Sequence, residues 1–178
     1  MRNEKVTKLT LSALFLGLAL VLPFLTGQIP KFGSMLLPMH IPALLCGFVC
    51  GWPWGLAVGF MSPLLRSLLF GMPPLYPAAL AMAFEIAAYG AVSGFVYHIL
   101  PKNKPNIYVS LVVAMLVGRL IWGAAMFILL AARGGSFTFA AFLAGAFTNA
   151  IPGIVVQIVL IPALVMILEK SKLLYFKN

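Results

Sequence analysis

The chain has 178 residues, 63% of them hydrophobic and 8% charged, with a net charge of +9 and a mean hydropathy of +1.09. No soluble domain of this size hides so much apolar surface, so the composition is that of a polytopic membrane protein. The basic residues sit at the ends of apolar runs, as topology signals do, and not in a patch of the kind that binds nucleic acid.

Apolar runs cut by Pro, Gly and charge predict an all-α fold of about six transmembrane helices in one domain, residues 1–178. The first helix is expected from Thr10 to Thr26. It follows a basic, signal-like start but has no small-x-small cleavage pattern before Pro23, so it is read as retained. A polar connection rich in Gly and Pro follows over residues 27–34. The second helix is expected from Met39 to Gly51, then a tight turn Gly51-Trp-Pro-Trp-Gly55, then a third helix from Gly55 to Phe70. Both are short for a full span, so they tilt or stop inside a protein-lined cavity. Gly71-Met-Pro-Pro-Leu-Tyr-Pro77 breaks the chain, because proline cannot donate a hydrogen bond and disfavours a helical predecessor. The fourth helix is expected over Ala78–Leu100, the fifth over Ile107–Ala132. A short surface helix ending near Phe142 is expected next. The sixth span covers Gly145–Leu168, bent at Pro152 or Pro162.

With an even number of spans, both termini share one side. That side carries Arg2, Lys5, Lys8, Lys102, Lys104, Lys170, Lys172 and Lys177, against Lys31 and Arg133 on the other. The positive-inside bias places N- and C-termini in the cytoplasm and the loops at 27–38, 71–77 and 133–144 outside.

Three charges interrupt the apolar runs: Arg66, Glu85 and Arg119. The whole chain has three acids, Glu4, Glu85 and Glu169, and no Asp. Ionisable groups inside a membrane are costly and face a bundle interior or a cavity. Counted along the helices, Arg66, Glu85, Arg119, Asn149 and His40 all fall in the outer half of the membrane, with Gln157 more central. This predicts a pocket loaded from outside, lined by Phe32, Met35, Met39, Met72, Tyr76, Tyr89, Trp122 and Met126, under loops loosened by Gly27, Gly33, Gly71, Gly134 and Gly135. Two arginines against one glutamate leave a positive charge for a small anion, and the planar Arg fork suits a carboxylate. Structural readings stand beside these. Arg66 and Glu85 also suit a structural pair between the third and fourth helices. Asn149 and Gln157 suit interhelical hydrogen bonding, and His40 suits a helix end.

Small residues four apart recur at Ala13/Gly17, Gly55/Gly59 and Gly90/Gly94. The last two pairs suit internal packing, and the first suits a partner protein if its face is unused. Cys46 and Cys50 read as small buried apolar residues: a metal site needs more ligands, and an i,i+4 disulfide is poor geometry. No Gly-x-Ser-x-Gly elbow and no phosphate-binding Gly-x-x-x-x-Gly-Lys-Ser/Thr is present, so the expectation is a non-enzyme with no engine and no cofactor of its own. No inverted repeat is visible.

The stretch Leu37-Pro-Met-His-Ile-Pro-Ala-Leu-Leu-Cys-Gly-Phe-Val-Cys-Gly-Trp-Pro-Trp-Gly55, continued by Gly59-Phe-Met-Ser-Pro-Leu-Leu-Arg66 and Gly71-Met-Pro-Pro74, resembles one branch of the substrate-binding S components of energy-coupling factor (ECF) vitamin transporters. The likeness covers almost the whole chain in length, span number and basic ends. It implies capture of a vitamin from outside at the plasma membrane of a prokaryote, with a transmembrane T protein and two ATPases as partners. It also implies toppling in the bilayer as those partners use ATP. The family docks through Ala-x-x-x-Ala on its first helix; Ala13-x-x-x-Gly17 is similar and departs at the second position. Pantothenate fits the polar set best: a carboxylate for Arg119 or Arg66, and hydroxyl and amide groups for His40, Glu85, Asn149 and Gln157. A neutral aromatic ligand such as α-ribazole or a pyridoxine-type vitamin, with Tyr89 and Trp122 stacking on it, is the next reading. A self-sufficient channel or carrier and a structural membrane subunit are the other function classes.

Overall fold

A computed structural model describes residues 4–26 and 35–170. Gly27, Lys31, Phe32 and Gly33 of the first connection, and the terminal Arg2, Lys172 and Lys177, lie outside them. All regular structure among the described residues is helical. In chain order the helices are α1 (Glu4–Val21), α2 (His40–Cys50), α3 (Trp52–Phe70), α4 (Leu80–Ile99), α5 (Lys104–Ala131), α6 (Phe139–Leu143) and α7 (Ile151–Lys170). Among the described residues, four segments are long and apolar enough to cross a membrane: Glu4–Leu25, Leu75–Ile99, Lys104–Ala131 and Ile151–Lys170.

Helix ends follow local chemistry. Gly51, at φ 102°, makes the α2–α3 corner alone, and Trp-Pro-Trp forms the first turn of α3 in place of the longer turn expected. Proline is suited there, because the first N–H groups of a helix have no partner inside it. Pro63, inside α3, leaves the Gly59 carbonyl without its usual donor. The Ser62 hydroxyl donates to that carbonyl at 3.3 Å instead. Before α4, Leu75–Ala79 form a π turn, with Tyr76 extended at its entry. The Met72–Pro73 and Tyr76–Pro77 peptides are cis. The last span is not one helix: α6 runs into a π turn at Ala144–Thr148, and α7 starts afresh at Ile151.

Helix α4 is the centre of the bundle. Its span is 61% buried, against 22–33% for the other three, and it packs on α2, α3 and α5. The approach of α2, α3 and α4 depends on glycine. A Cβ on Gly90 would stand 2.2 Å from the Gly55 carbonyl oxygen; one on Gly47 would stand 2.2 Å from that of Gly90, and one on Gly59 2.3 Å from that of Ile86. The pairs Gly55/Gly59 and Gly90/Gly94 therefore serve internal packing, and Gly47 joins them. Beside this seam, Phe48, Tyr89, Tyr97, Ile107, Leu111 and Ile161 fill the main core. At the far end, the Tyr97 hydroxyl donates to Glu169, and Lys102 Nζ donates to the Tyr97 carbonyl and lies 3.9 Å from its ring centroid, which ties α4 to α7.

Helix α1 packs through Thr7, Ser12, Phe15 and Ala19 against α2 and α3. Ser12 Oγ lies 3.5 Å from Cys46 Sγ. Both cysteines are buried free thiols. The opposite face of α1 is open: Ala13 and Gly17 are exposed, and no atom lies within 4 Å of a Cβ built on Gly17.

Candidate ligand site

The candidate site is a cluster of buried polar side chains on three helices, with a further buried amide, Gln157, on a fourth. Glu85, in the second turn of α4, lies on the inward face of the central helix and is 2% exposed. Arg119 reaches it from the middle of α5, with Nη1 donating to Glu85 Oε1 at 2.7 Å. His40, the first residue of α2, places Nε2 3.3 Å from the same oxygen. That is an ion-pair distance, but the imidazole is not aligned for a hydrogen bond. Tyr89, one helical turn below Glu85, lies T-shaped against the His40 ring, with centroids 4.8 Å apart.

Backbone packing makes this meeting possible. A Cβ on Gly118 would stand 2.2 Å from Tyr89 Cδ2, so the hydrogen at position 118 is what admits the Tyr89 ring and brings the next residue, Arg119, up to Glu85. Gly118 has no polar signal in the sequence. Its one clue is a glycine inside an apolar helix, which costs about 1 kcal/mol relative to alanine and so implies a packing reason.

Gln157 is fully buried on α7. Gly153, one turn before it, abuts the Met35 and Leu36 backbone just ahead of α2. Helix α7 packs on α2 and α5, so the Gln157 amide is buried within the bundle.

The remaining expected residues fall elsewhere. Arg66 is not paired with Glu85: Nη1 donates to the Leu20 carbonyl at the end of α1, and the guanidinium lies between the rings of Phe24 and Phe70, at 4.7 and 5.3 Å. The 3-10 turn Leu22–Thr26, which begins at Leu22-Pro23, leaves carbonyls at that helix end, and a long cation satisfies one. Trp122, one turn above Arg119, is half-buried against Phe137 and Phe142, and Gly145 makes room for its ring. Phe142, which the sequence did not single out, also fills the space above Gly123 and so seats α6 on α5. The Asn149 side chain is exposed where the π turn meets α7. Tyr76 donates its hydroxyl to the Leu129 carbonyl and carries the Arg133 guanidinium 4.0 Å from its ring centroid, which fastens the 71–77 loop to the end of α5.

What distinguishes the cluster is its unused hydrogen-bonding capacity. Arg119 Nε and Nη2, Tyr89 Oη, both ring nitrogens of His40, and both amide atoms of Gln157 are buried without a hydrogen-bond partner. Native interiors leave few such groups, and each calls for an explanation. Here they lie on the inward faces of α2, α4, α5 and α7. Nε–H and Nη2–H of a guanidinium point the same way and form its side-on fork. Glu85 therefore holds Arg119 from one side, and the fork on its other edge, closed to solvent and near the Tyr89 hydroxyl, has no aligned partner. Among the described residues no group of three His, Cys, Asp or Glu side chains is placed to hold a metal.

Residues 7–165 match a family model described as ECF transporter, substrate-specific component. No curated protein matches the chain, and no solved structure does.

Proposed function

With nearly its whole length matched, the chain belongs to the substrate-specific components of ECF transporters, and we propose that it captures a small monocarboxylate vitamin or precursor, pantothenate first, from the outer side of the membrane. Family membership makes it an integral membrane, substrate-binding transport subunit and not an enzyme. The observation that carries the substrate is the unpartnered Arg119 fork, two buried donors beside Glu85 that match the two oxygens of a carboxylate. Tyr89, His40 and Gln157 then supply donors and acceptors for the hydroxyl and amide groups of the ligand.

On this reading six segments cross the bilayer with both termini in the cytoplasm of a prokaryote, and His40, Glu85 and the outer loops face out. Arg66, Trp122 and Asn149 act outside the innermost shell: Arg66 braces the end of α1, and Trp122 and Asn149 flank the way in. The T protein docks on the open Ala13/Gly17 face, where small side chains permit close helix approach. Two ATPases spend the ATP, and this chain needs no cofactor.

A neutral aromatic ligand, α-ribazole or a pyridoxine-type vitamin, is the second reading. It is favoured by charge balance, because Glu85 and Arg119 sum to zero and Arg66 is engaged elsewhere. Thermal shift of the purified protein separates the two. Pantothenate raises the melting temperature and its uncharged alcohol pantothenol does so far less. Stabilisation by pyridoxine or α-ribazole with pantothenate silent would transfer the assignment to the neutral class. Uptake into liposomes by this chain alone would instead indicate a self-sufficient carrier.

A further inference from the structure

The unpartnered groups of the site are closed to solvent, so a ligand reaches them only when part of the wall moves aside. The described elements differ in what such a movement breaks. Helices α2, α3 and α4 meet backbone to backbone across their glycines, and no side-chain rotation parts them. The 71–77 loop is tied down by polar contacts: Tyr76 donates to the Leu129 carbonyl, and the Arg133 guanidinium lies on its ring. Moving that loop breaks a hydrogen bond and a cation–ring contact together.

The segment from Phe137 to Thr148, which comprises α6 and the π turn, is held differently. Among the described residues its polar ties are its own: Thr138 Oγ1 accepts from the Ala141 N–H, and the Phe142 N–H donates to the Thr138 carbonyl. It grips α5 through two rings set on two glycines, in opposite directions. Phe142 of α6 fills the notch at Gly123 of α5, where a Cβ would stand 2.5 Å from Cδ2. Trp122 of α5 fills the notch at Gly145 of the π turn, where a Cβ would stand 2.5 Å from Cη2. The two rings are stacked with centroids 6.5 Å apart, and Phe137 stands edge-on to Trp122 at 5.8 Å. Rings leave such notches without stranding a donor or acceptor, so this contact opens and closes at lower cost than the polar ties elsewhere. Both ends of the segment suit a hinge. Gly134 stands at φ 72° with open space around it, and the π turn separates the segment from α7. Trp122, the centre of the interlock, is one helical turn from Arg119 on α5.

We infer that the Phe137–Thr148 segment is a gate of the site, latched by Phe142 on Gly123 and by Trp122 on Gly145, and that Phe142 sets how fast ligand enters and leaves. This rests on the ligand-site reading above and not on the charge of the ligand. Entry and exit pass through the same open state, so a loosened latch speeds both and leaves their ratio little changed. A residue that only supports the site behaves otherwise: its loss speeds exit alone and weakens affinity.

Stopped-flow kinetics of pantothenate association and dissociation, on the full chain in detergent, test the gate. Phe142→Ala empties the Gly123 notch from one side, and Gly123→Ala fills it from the other. Each should raise both rate constants about tenfold or more while Kd moves less than about threefold. Faster dissociation with unchanged association overturns the inference, and so do unaltered rates in both variants. Should Phe142→Ala not fold, Gly123→Ala, which adds a single methyl group to a helix, still decides. If pantothenate does not bind the unaltered chain, the substrate reading falls, and the same rates are measured with pyridoxine and α-ribazole, by which the gate stands or falls. Binding of none of the three overturns the site reading and the gate with it.

Discussion

Removing Arg119 tests the site directly. Arg119→Gln deletes two fork donors, Nε–H and Nη2–H, and the Nη1 bond to Glu85. Hydrogen bonds to charged groups contribute about 1.5–3 kcal/mol each, so losing the fork costs about 3–6 kcal/mol of ligand affinity. That agrees with the ~2–5 kcal/mol seen when one partner of a buried charge pair is cut away. The expected weakening is therefore at least about thirtyfold. Stability suffers separately, because Glu85 loses its buried partner, which costs about 3–5 kcal/mol. The double variant Glu85→Gln/Arg119→Gln removes that penalty. It should recover most of the lost melting temperature while binding stays lost. Arg119→Lys keeps the charge but not the fork and should fall between. Isothermal titration and thermal unfolding on the same detergent preparations read both quantities. Full pantothenate affinity in a folded Arg119→Gln protein would refute the assignment of the fork.

Three further outcomes follow from packing. Gly90→Ala places a methyl group 2.2 Å from the Gly55 carbonyl oxygen. Overpacking costs about 1–3 kcal/mol, which should lower the melting temperature by several degrees; an unchanged melting temperature would contradict the close seam. Gly118→Val fills the Tyr89 seat and should weaken ligand binding at least tenfold by moving Arg119 off Glu85, with normal binding as the contrary result. Ala13→Trp or Gly17→Leu adds bulk to an empty face, so each should leave stability and ligand affinity intact while abolishing co-purification with the T protein; retained co-purification would clear that face of the role.

Helix existence was legible because proline, glycine and charge punctuate long apolar runs, and the expected ends at Phe70 and Ala132 fall within a residue of those found. The start of α3 differed because Trp-Pro-Trp looks like a turn yet suits a first helical turn. The last span differed because nothing in Gly145-Ala-Phe-Thr-Asn149 announces a π turn. The polar residues at one depth were legible by counting along helices. Their pairing was not: whether Glu85 meets Arg66 or Arg119 depends on helix rotation. That rotation is set by Gly118 under Tyr89 and by the turn at Leu22–Thr26 that draws Arg66 away.

The glycine seam divides the site into halves of unequal freedom. Helices α2, α3 and α4 meet backbone to backbone, so His40, Glu85 and Tyr89 ride on one block whose spacing no side-chain exchange can retune without prising it apart. Helix α5 meets that block through the Tyr89 ring seated on Gly118, and Arg119 and Gln157 stand on helices outside the seam. Redesign of this protein toward another cargo is therefore a problem for the α5 and α7 wall, where Arg119 and Gln157 stand. The α2–α4 wall serves as the fixed jaw against which each new grip is cut.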